Sequence, residues 1–152
     1  MPAPIRGDIY YIDVPPEFRV EHEEFGPHWH VVVSSDDINH NLRIAVVVPL
    51  SSPLNKEGKP KDAGPYRNHR IKVIAGQITW YSGQKAAAGD SLAKTEQVFC
   101  LSRRYLESIP CCGKISDTGM SAIEAGLCHV LKIPIPKKLG GPVKPPLAQK
   151  TN

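Results

Sequence analysis

The stretch "GPHWHVVVSSDD", Gly26 to Asp37, sets two imidazoles and an indole directly before three valines. An unperturbed imidazole titrates near ~6.5, so His28 can take or give a proton at neutral pH. The valines belong in a buried strand, which fixes the direction in which the polar groups ahead of them are presented. In such a strand His28 and His30 share a face, roughly 6–7 Å apart. With His22 or Glu23 from "EHEE" they could surround zinc, but an HxH pair alone is a weak metal signal. Two further polar sets follow apolar runs: Ser51 and Ser52 close "VVVPLSS", and Lys94, Glu96 and Gln97 stand in "AKTEQVF". On one strand Lys94 and Glu96 face the same side and Gln97 the other.

Each group also has a plain reading. His22, flanked by three carboxylates, is a solvated ion pair. Lys94 and Glu96 pair along a strand face. Ser51 caps the turn into Pro53. Trp29 packs at a rim rather than stacking on a base.

Short strands must hold these groups. "GDIYYIDV" predicts a first strand that stops at Pro15-Pro16. "HVVVSS" and "LRIAVVVPL" predict two more, separated by "DDINHN" as a turn or a single helical turn. Their unbroken valines imply burial on both faces. After a long polar loop, "IKVIA" and "QITWYS" read as a hairpin, "EQVFCL" as the last full strand, and "SRRYLESI" as a short helix capped by Ser102. In "SDTGMSAIEAGLCHVLKIP", Met120, Ile123, Leu127, Val130 and Leu131 recur at helical spacing, with Ser116 or Asp117 as cap and Pro134 as stop. Gly119 and Gly126 weaken that helix, so packing must hold it. Without βαβ alternation, the order predicts an α+β domain: a small, strongly curved antiparallel barrel with a C-terminal helix.

Composition bounds the rest. The 152 residues fit one domain. All 15 acidic residues lie before Lys132, against 14 of the 19 basic ones, so the body is near neutral. Lys132, Lys137, Lys138, Lys144 and Lys150 supply the surplus. The division expected is a barrel domain over residues 1–133 and a flexible Pro/Lys-rich tail over 134–152, which either adds salt-sensitive affinity for a polyanion or only aids solubility. No apolar run is long enough to span a membrane, and "MPAPIRGDIYYIDV" has no secretory h-region. Cys100, Cys111, Cys112 and Cys128 lack paired CxxC spacing and read as free thiols in a reducing cytosol.

In order along the chain, "RGDIYYIDV", "EHEEFGPHWHVVVSS", "VVVPLSS", "GDSLAKTEQVFCLSRRYLE" and "GKISDTGMSAIEAGLCHVL" resemble the MazF/PemK (Kid) toxins of bacterial toxin–antitoxin systems. The resemblance runs in pieces from Arg6 to Leu131. It implies a barrel related to SH3 folds, a homodimer, and an endoribonuclease that selects sequences in single-stranded RNA, including mRNA. It also implies that no metal or other cofactor is needed, and that a cognate antitoxin occupies the RNA groove.

Metal-free cleavage uses the substrate's own 2′-hydroxyl and leaves a 2′,3′-cyclic phosphate. It needs a base, an acid for the leaving 5′-oxygen, and donors for the crowded phosphate. By the resemblance, His22 matches a histidine that aids catalysis or RNA binding. Ser51 matches a hydroxyl that can donate to phosphate, with Ser52 beside it. Lys94 and Glu96 match a basic-x-acidic pair. Beyond the resemblance, Trp29 is expected to contact RNA by stacking on a base, and Gln97 either contacts RNA or is structural. The family usually has Arg-Pro where this chain has His28-Trp29. Histidine can act as acid or base there, whereas arginine stabilises phosphate charge but gives up a proton poorly. His30, one step deeper, is expected to matter mainly to stability. Loss of the arginine is also the main support for a different reading, a non-catalytic barrel that binds RNA or protein. A metal-dependent hydrolase built on His22, His28 and His30 is the third.

Overall fold

The computed structural model describes residues 2–15 and 26–135. His22, Glu23 and residues 136–152 of the tail lie outside the described residues.

The first strand, β1, runs Asp8–Ile12, and β2 runs His28–Val32. A six-residue helix α1, Asp36–Asn41, follows, and then the long strand β3, Ile44–Ser51. Of the turn or single helical turn that "DDINHN" allows, the helical form is the one present, and a buried polar node anchors it. Asn39 is 1% exposed; the Ser34 hydroxyl donates to its Oδ1 and accepts from the Val46 N–H at 2.9 Å. Buried side-chain polar groups need such partners, and here they tie β2 to β3.

Strands β4 (Arg70–Val73), β5 (Ile78–Trp80), β6 (Ser91–Lys94), β7 (Phe99–Ser102) and β8 (Cys111–Ile115) complete the sheet. All pairings between these strands are antiparallel, in the order β4-β6-β3-β2-β1-β8-β5, and β7 pairs with the first half of β3. The sheet curls into a half-barrel, and β4 and β5 end it without pairing with each other. Among the described residues three α-helices accompany it: α1, the short α2 (Arg103–Glu107) and α3 (Asp117–Leu131). The α+β barrel expected from the sequence is thus present.

Alternation divides the sheet into two apolar faces. Ile9, Val31, Val48, Leu50 and Ala93 face one cluster, closed by Met120 and Ile123 of α3. Tyr10, Ile12, Val32, Ala45 and Val47 face the other, with Leu106 of α2. This is why the valine runs are unbroken: successive residues enter different cores.

The two glycines of α3 have a packing cause. They stand two turns apart on one helix face. A Cβ at Gly119 would meet Ile115 Cγ1 at 2.6 Å, and one at Gly126 would meet Ile71 Cγ1 at 2.8 Å. The helix therefore lies tight against β8 at one end and β4 at the other, spanning the two ends of the curled sheet.

Four expectations need correction. "IKVIA" and "QITWYS" do not form a hairpin: β4 pairs with β6, and β5 with β8. The sequence carries no signal for β8, whose glycine and adjacent cysteines hide it, and it runs β6 into the following strand by placing Lys94 and Glu96 together. Gly113 is required within β8 because a Cβ there would come 2.6 Å from the Thr79 carbonyl on β5. "EQVFCL" is strand only from Phe99, because Thr95–Gln97 forms a 3₁₀ turn. Helix α3 stops after Leu131, just ahead of Pro134 as expected, and Lys132 caps it in the left-handed conformation (φ 54°). Ser116 caps that helix, accepting from the Gly119 N–H, whereas Ser102 precedes α2 without a side-chain cap bond. All four cysteines are free. No helix among the described residues is long and apolar enough to cross a membrane.

Candidate active site

The register places the chemistry. His30 is opposite Pro49, and Trp29 opposite Leu50, which sets His28 opposite Ser51 one step further along. Leu50 is opposite Ala93, which by the same step sets Pro49 opposite Lys94. Directly opposed residues share a face. His28, His30, Pro49, Ser51 and Lys94 therefore emerge together from three adjacent strands, on the face that carries the second apolar cluster.

Together with Val14, Gly26, Gln97 and Phe99, they line a narrow cleft. Four of the residues singled out from the sequence, His28, Ser51, Lys94 and Gln97, thus converge there. Within it Lys94 is 4% exposed and His30 only 3%. His30 Nδ1 lies 2.9 Å from the His28 carbonyl, and its ring meets Phe99 edge-on at 5.4 Å between centroids. Burial pulls its pKa down to about 4, outweighing the bond to the His28 carbonyl, which acts upward, and the nearby His28 charge, which acts downward. His30 is therefore neutral at physiological pH. Ser51 donates to the Ser52 carbonyl at 3.3 Å.

The expected shared strand face of Lys94 and Glu96 fails. Strand β6 ends at Lys94, and the 3₁₀ turn that follows rotates Glu96 away and brings Gln97 to the cleft. Glu96 Oε1 accepts from Arg70 Nε at 2.7 Å, while Oε2 is buried with no hydrogen-bond partner among the described residues. The Arg70 guanidinium also lies over the Tyr66 ring, 3.8 Å from its centroid. The Thr95 N–H and hydroxyl both donate to the His69 carbonyl. Residues 66–70 thus brace the turn that orients Lys94 and Gln97. The arginine-rich end of the long loop was the only trace of this brace in the sequence.

Trp29 faces the opposite side of β2 from His28. It meets Tyr11 at 5.1 Å and Trp80 at 5.7 Å between ring centroids, and its Nε1–H donates to the Lys85 carbonyl at 3.2 Å. With Ser52, Pro53, Leu54 and residues 87–91 it lines a second, wider depression, and Ser51 borders both. Among the described residues no three His, Cys, Asp or Glu side chains are grouped to hold a metal ion; His22 and Glu23 lie outside them.

A half-barrel crossed by a terminal helix, with polar groups emerging beside β2 and β3, is the arrangement that the resemblance implied. Residues 5–131 match the family model described as "PemK-like, MazF-like toxin of type II toxin-antitoxin system". The chain belongs to this toxin family. Among solved structures, the PemK/MazF-like chain is similar to an endoribonuclease in complex with its cognate antitoxin, from a mycobacterial species. The TM-score is 0.52 and the identity 18%, over 90% of this chain and 100% of that one. It is also similar to an endoribonuclease from a mycobacterial species, with a TM-score of 0.51 and 16% identity over 90% of this chain and 98% of that one. At these identities the likeness is one of fold. Among curated proteins, none matches the chain.

Proposed function

We propose that this PemK/MazF-like toxin is a metal-independent endoribonuclease that cuts single-stranded RNA, mRNA included. It works in the cytoplasm as a homodimer and is restrained by a cognate antitoxin seated over the RNA groove. The observation that carries the reading is the convergence of His28, Ser51 and Lys94 on one cleft in a chain of this family.

The 2′-oxygen attacks the neighbouring phosphorus while the bond from phosphorus to the 5′-oxygen breaks. His28 delivers a proton to that leaving oxygen, and His22 takes the proton of the 2′-hydroxyl. Lys94 offsets the charge that builds on the phosphate, with no water layer around its buried stem to weaken the attraction. The Ser51 hydroxyl donates to a phosphate oxygen, and Gln97 holds the RNA at the cleft edge. Trp29 and Ser52 border the adjoining depression, where the next nucleotides run. Glu96 acts through Arg70 by fixing the turn, rather than on the substrate.

Incubation of the protein with single-stranded RNA in EDTA, followed by mapping of the ends, tests this. Fragments ending in 2′,3′-cyclic phosphate and 5′-hydroxyl are expected. Cleavage abolished by EDTA, with 5′-phosphate products, points to activated water and the metal hydrolase. Binding without cleavage points to the non-catalytic barrel.

A further inference from the structure

His30 occupies the middle of the cleft floor, between His28 on its own strand and Lys94 across Pro49. The one hydrogen bond its side chain makes among the described residues joins Nδ1 to the His28 carbonyl at 2.9 Å. A carbonyl oxygen only accepts, so Nδ1 carries the hydrogen. The ring is 3% exposed and wedged edge-on against Phe99, so it cannot turn over without breaking both contacts. In the neutral ring Nε2 then has no hydrogen and can only accept. The cleft floor thus presents a fixed, uncharged acceptor beside a cation and a hydroxyl. A deoxyribose offers nothing to such an atom, whereas a ribose offers its 2′-hydroxyl, the group by which proteins tell RNA from DNA.

We propose that His30 is a specificity-determining residue of this cleft, its Nε2 accepting a hydrogen bond from a ribose 2′-hydroxyl beside the scissile phosphate. The hydroxyl concerned is a neighbour of the nucleophile, because a ring with so low a proton affinity holds a hydrogen bond without removing the proton. The inference rests on the RNA-cleaving reading of the same cleft.

The test uses two labelled, random-sequence single-stranded oligonucleotides at pH 8, one fully 2′-amino and one fully 2′-fluoro. The uncharged amine donates and fluorine cannot, and neither carries the 2′-oxygen that cleavage requires. Fluorescence anisotropy gives the ratio of the two affinities for the intact protein, His30→Phe and His30→Gln. Differences in sugar pucker cancel when these ratios are compared. Loss of one neutral hydrogen bond should lower the preference for the amine roughly three- to tenfold in His30→Phe. His30→Gln, which can place a carbonyl oxygen near Nε2, should recover part of it. An unchanged ratio in a folded His30→Phe overturns the inference. If that variant does not fold, the ¹⁵N resonance of His30 Nε2 in the wild-type protein decides: it shifts on adding the 2′-amino strand, and no shift overturns the proposal. The ratio is read without cleavage, so a protein that fails to cut natural RNA defeats the enzymatic reading separately.

Discussion

The Nδ1–H of His30 donates to the backbone carbonyl of His28, and that short bond is the polar seam between a buried ring and a cleft residue. Burial, outweighing that bond, keeps the deeper imidazole neutral, with a pKa of about 4 against ~6.5 in the unfolded chain. The unfolded state binds the proton first as the pH falls. The stabilisation is complete above the unfolded value and is lost progressively as the pH falls toward the folded one. Between pH 7.5 and 5 this should cost about 2 kcal/mol. Urea unfolding at the two pH values should show that loss in the wild-type protein and a smaller one in His30→Gln. Equal slopes in both would show that His30 does not titrate as its burial implies.

Gly126→Ala tests how α3 positions the site. Alanine raises helix propensity by about 1 kcal/mol, yet its Cβ would press on Ile71 Cγ1 at 2.8 Å and Thr95 Cγ2 at 3.0 Å. Overpacking of this kind costs roughly 1–3 kcal/mol, so the variant should melt lower than wild type. Because Thr95 follows Lys94 directly, RNA cleavage should fall as well. A variant that melts higher than wild type would mean that the helix has slack against the sheet.

Glu96 and Gln97 should exchange the roles that simple strand alternation assigns them. Glu96→Gln weakens a charge-assisted bond to Arg70 and should cost roughly 1–2 kcal/mol of stability, with kcat changed less than tenfold. Gln97→Ala should raise KM with little effect on melting. Denaturation curves and steady-state kinetics for both variants decide this. A hundredfold fall in kcat for a stable Glu96→Gln would return that carboxylate to the chemistry.

A chain ending at residue 133 should fold with the same melting temperature, because the cores close with Met120 and Ile123. It lacks Lys137, Lys138, Lys144 and Lys150. If these reach RNA phosphates, affinity should fall and its salt dependence become shallower, by up to ~0.7 in log–log slope for each phosphate no longer neutralised. An unchanged slope leaves the tail without a part in RNA binding.

The placement of the cleft residues and the central strands was legible because their signals are local. Ser51 and His28 sit where apolar runs begin or end, and the valine triplets require burial on two sides. The pairing of β4 with β6 was not legible, since it depends on a partner some twenty residues away rather than on the nearer "QITWYS". Nor was the 3₁₀ turn at Thr95, which is set by bonds to the distant His69 carbonyl and by the Arg70–Glu96 pair. One residue of turn geometry exchanged Glu96 for Gln97 at the cleft. Period-2 reasoning cannot detect such a change, because its cause is tertiary.

The most direct measurement is the pH–rate profile for cleavage of one single-stranded RNA in EDTA by the wild-type protein, His28→Ala and His28→Arg. Wild type should cut, and its rate should fall on the alkaline side of the profile, where a general acid is spent. His28→Ala should lose ~10²–10⁴ in rate, the usual contribution of one acid–base group. His28→Arg should hold RNA at least as well and replace the histidine's profile with another. His28→Ala cutting at the wild-type rate, with an unchanged profile, would contradict the assignment of this cleft as the place where RNA is cut.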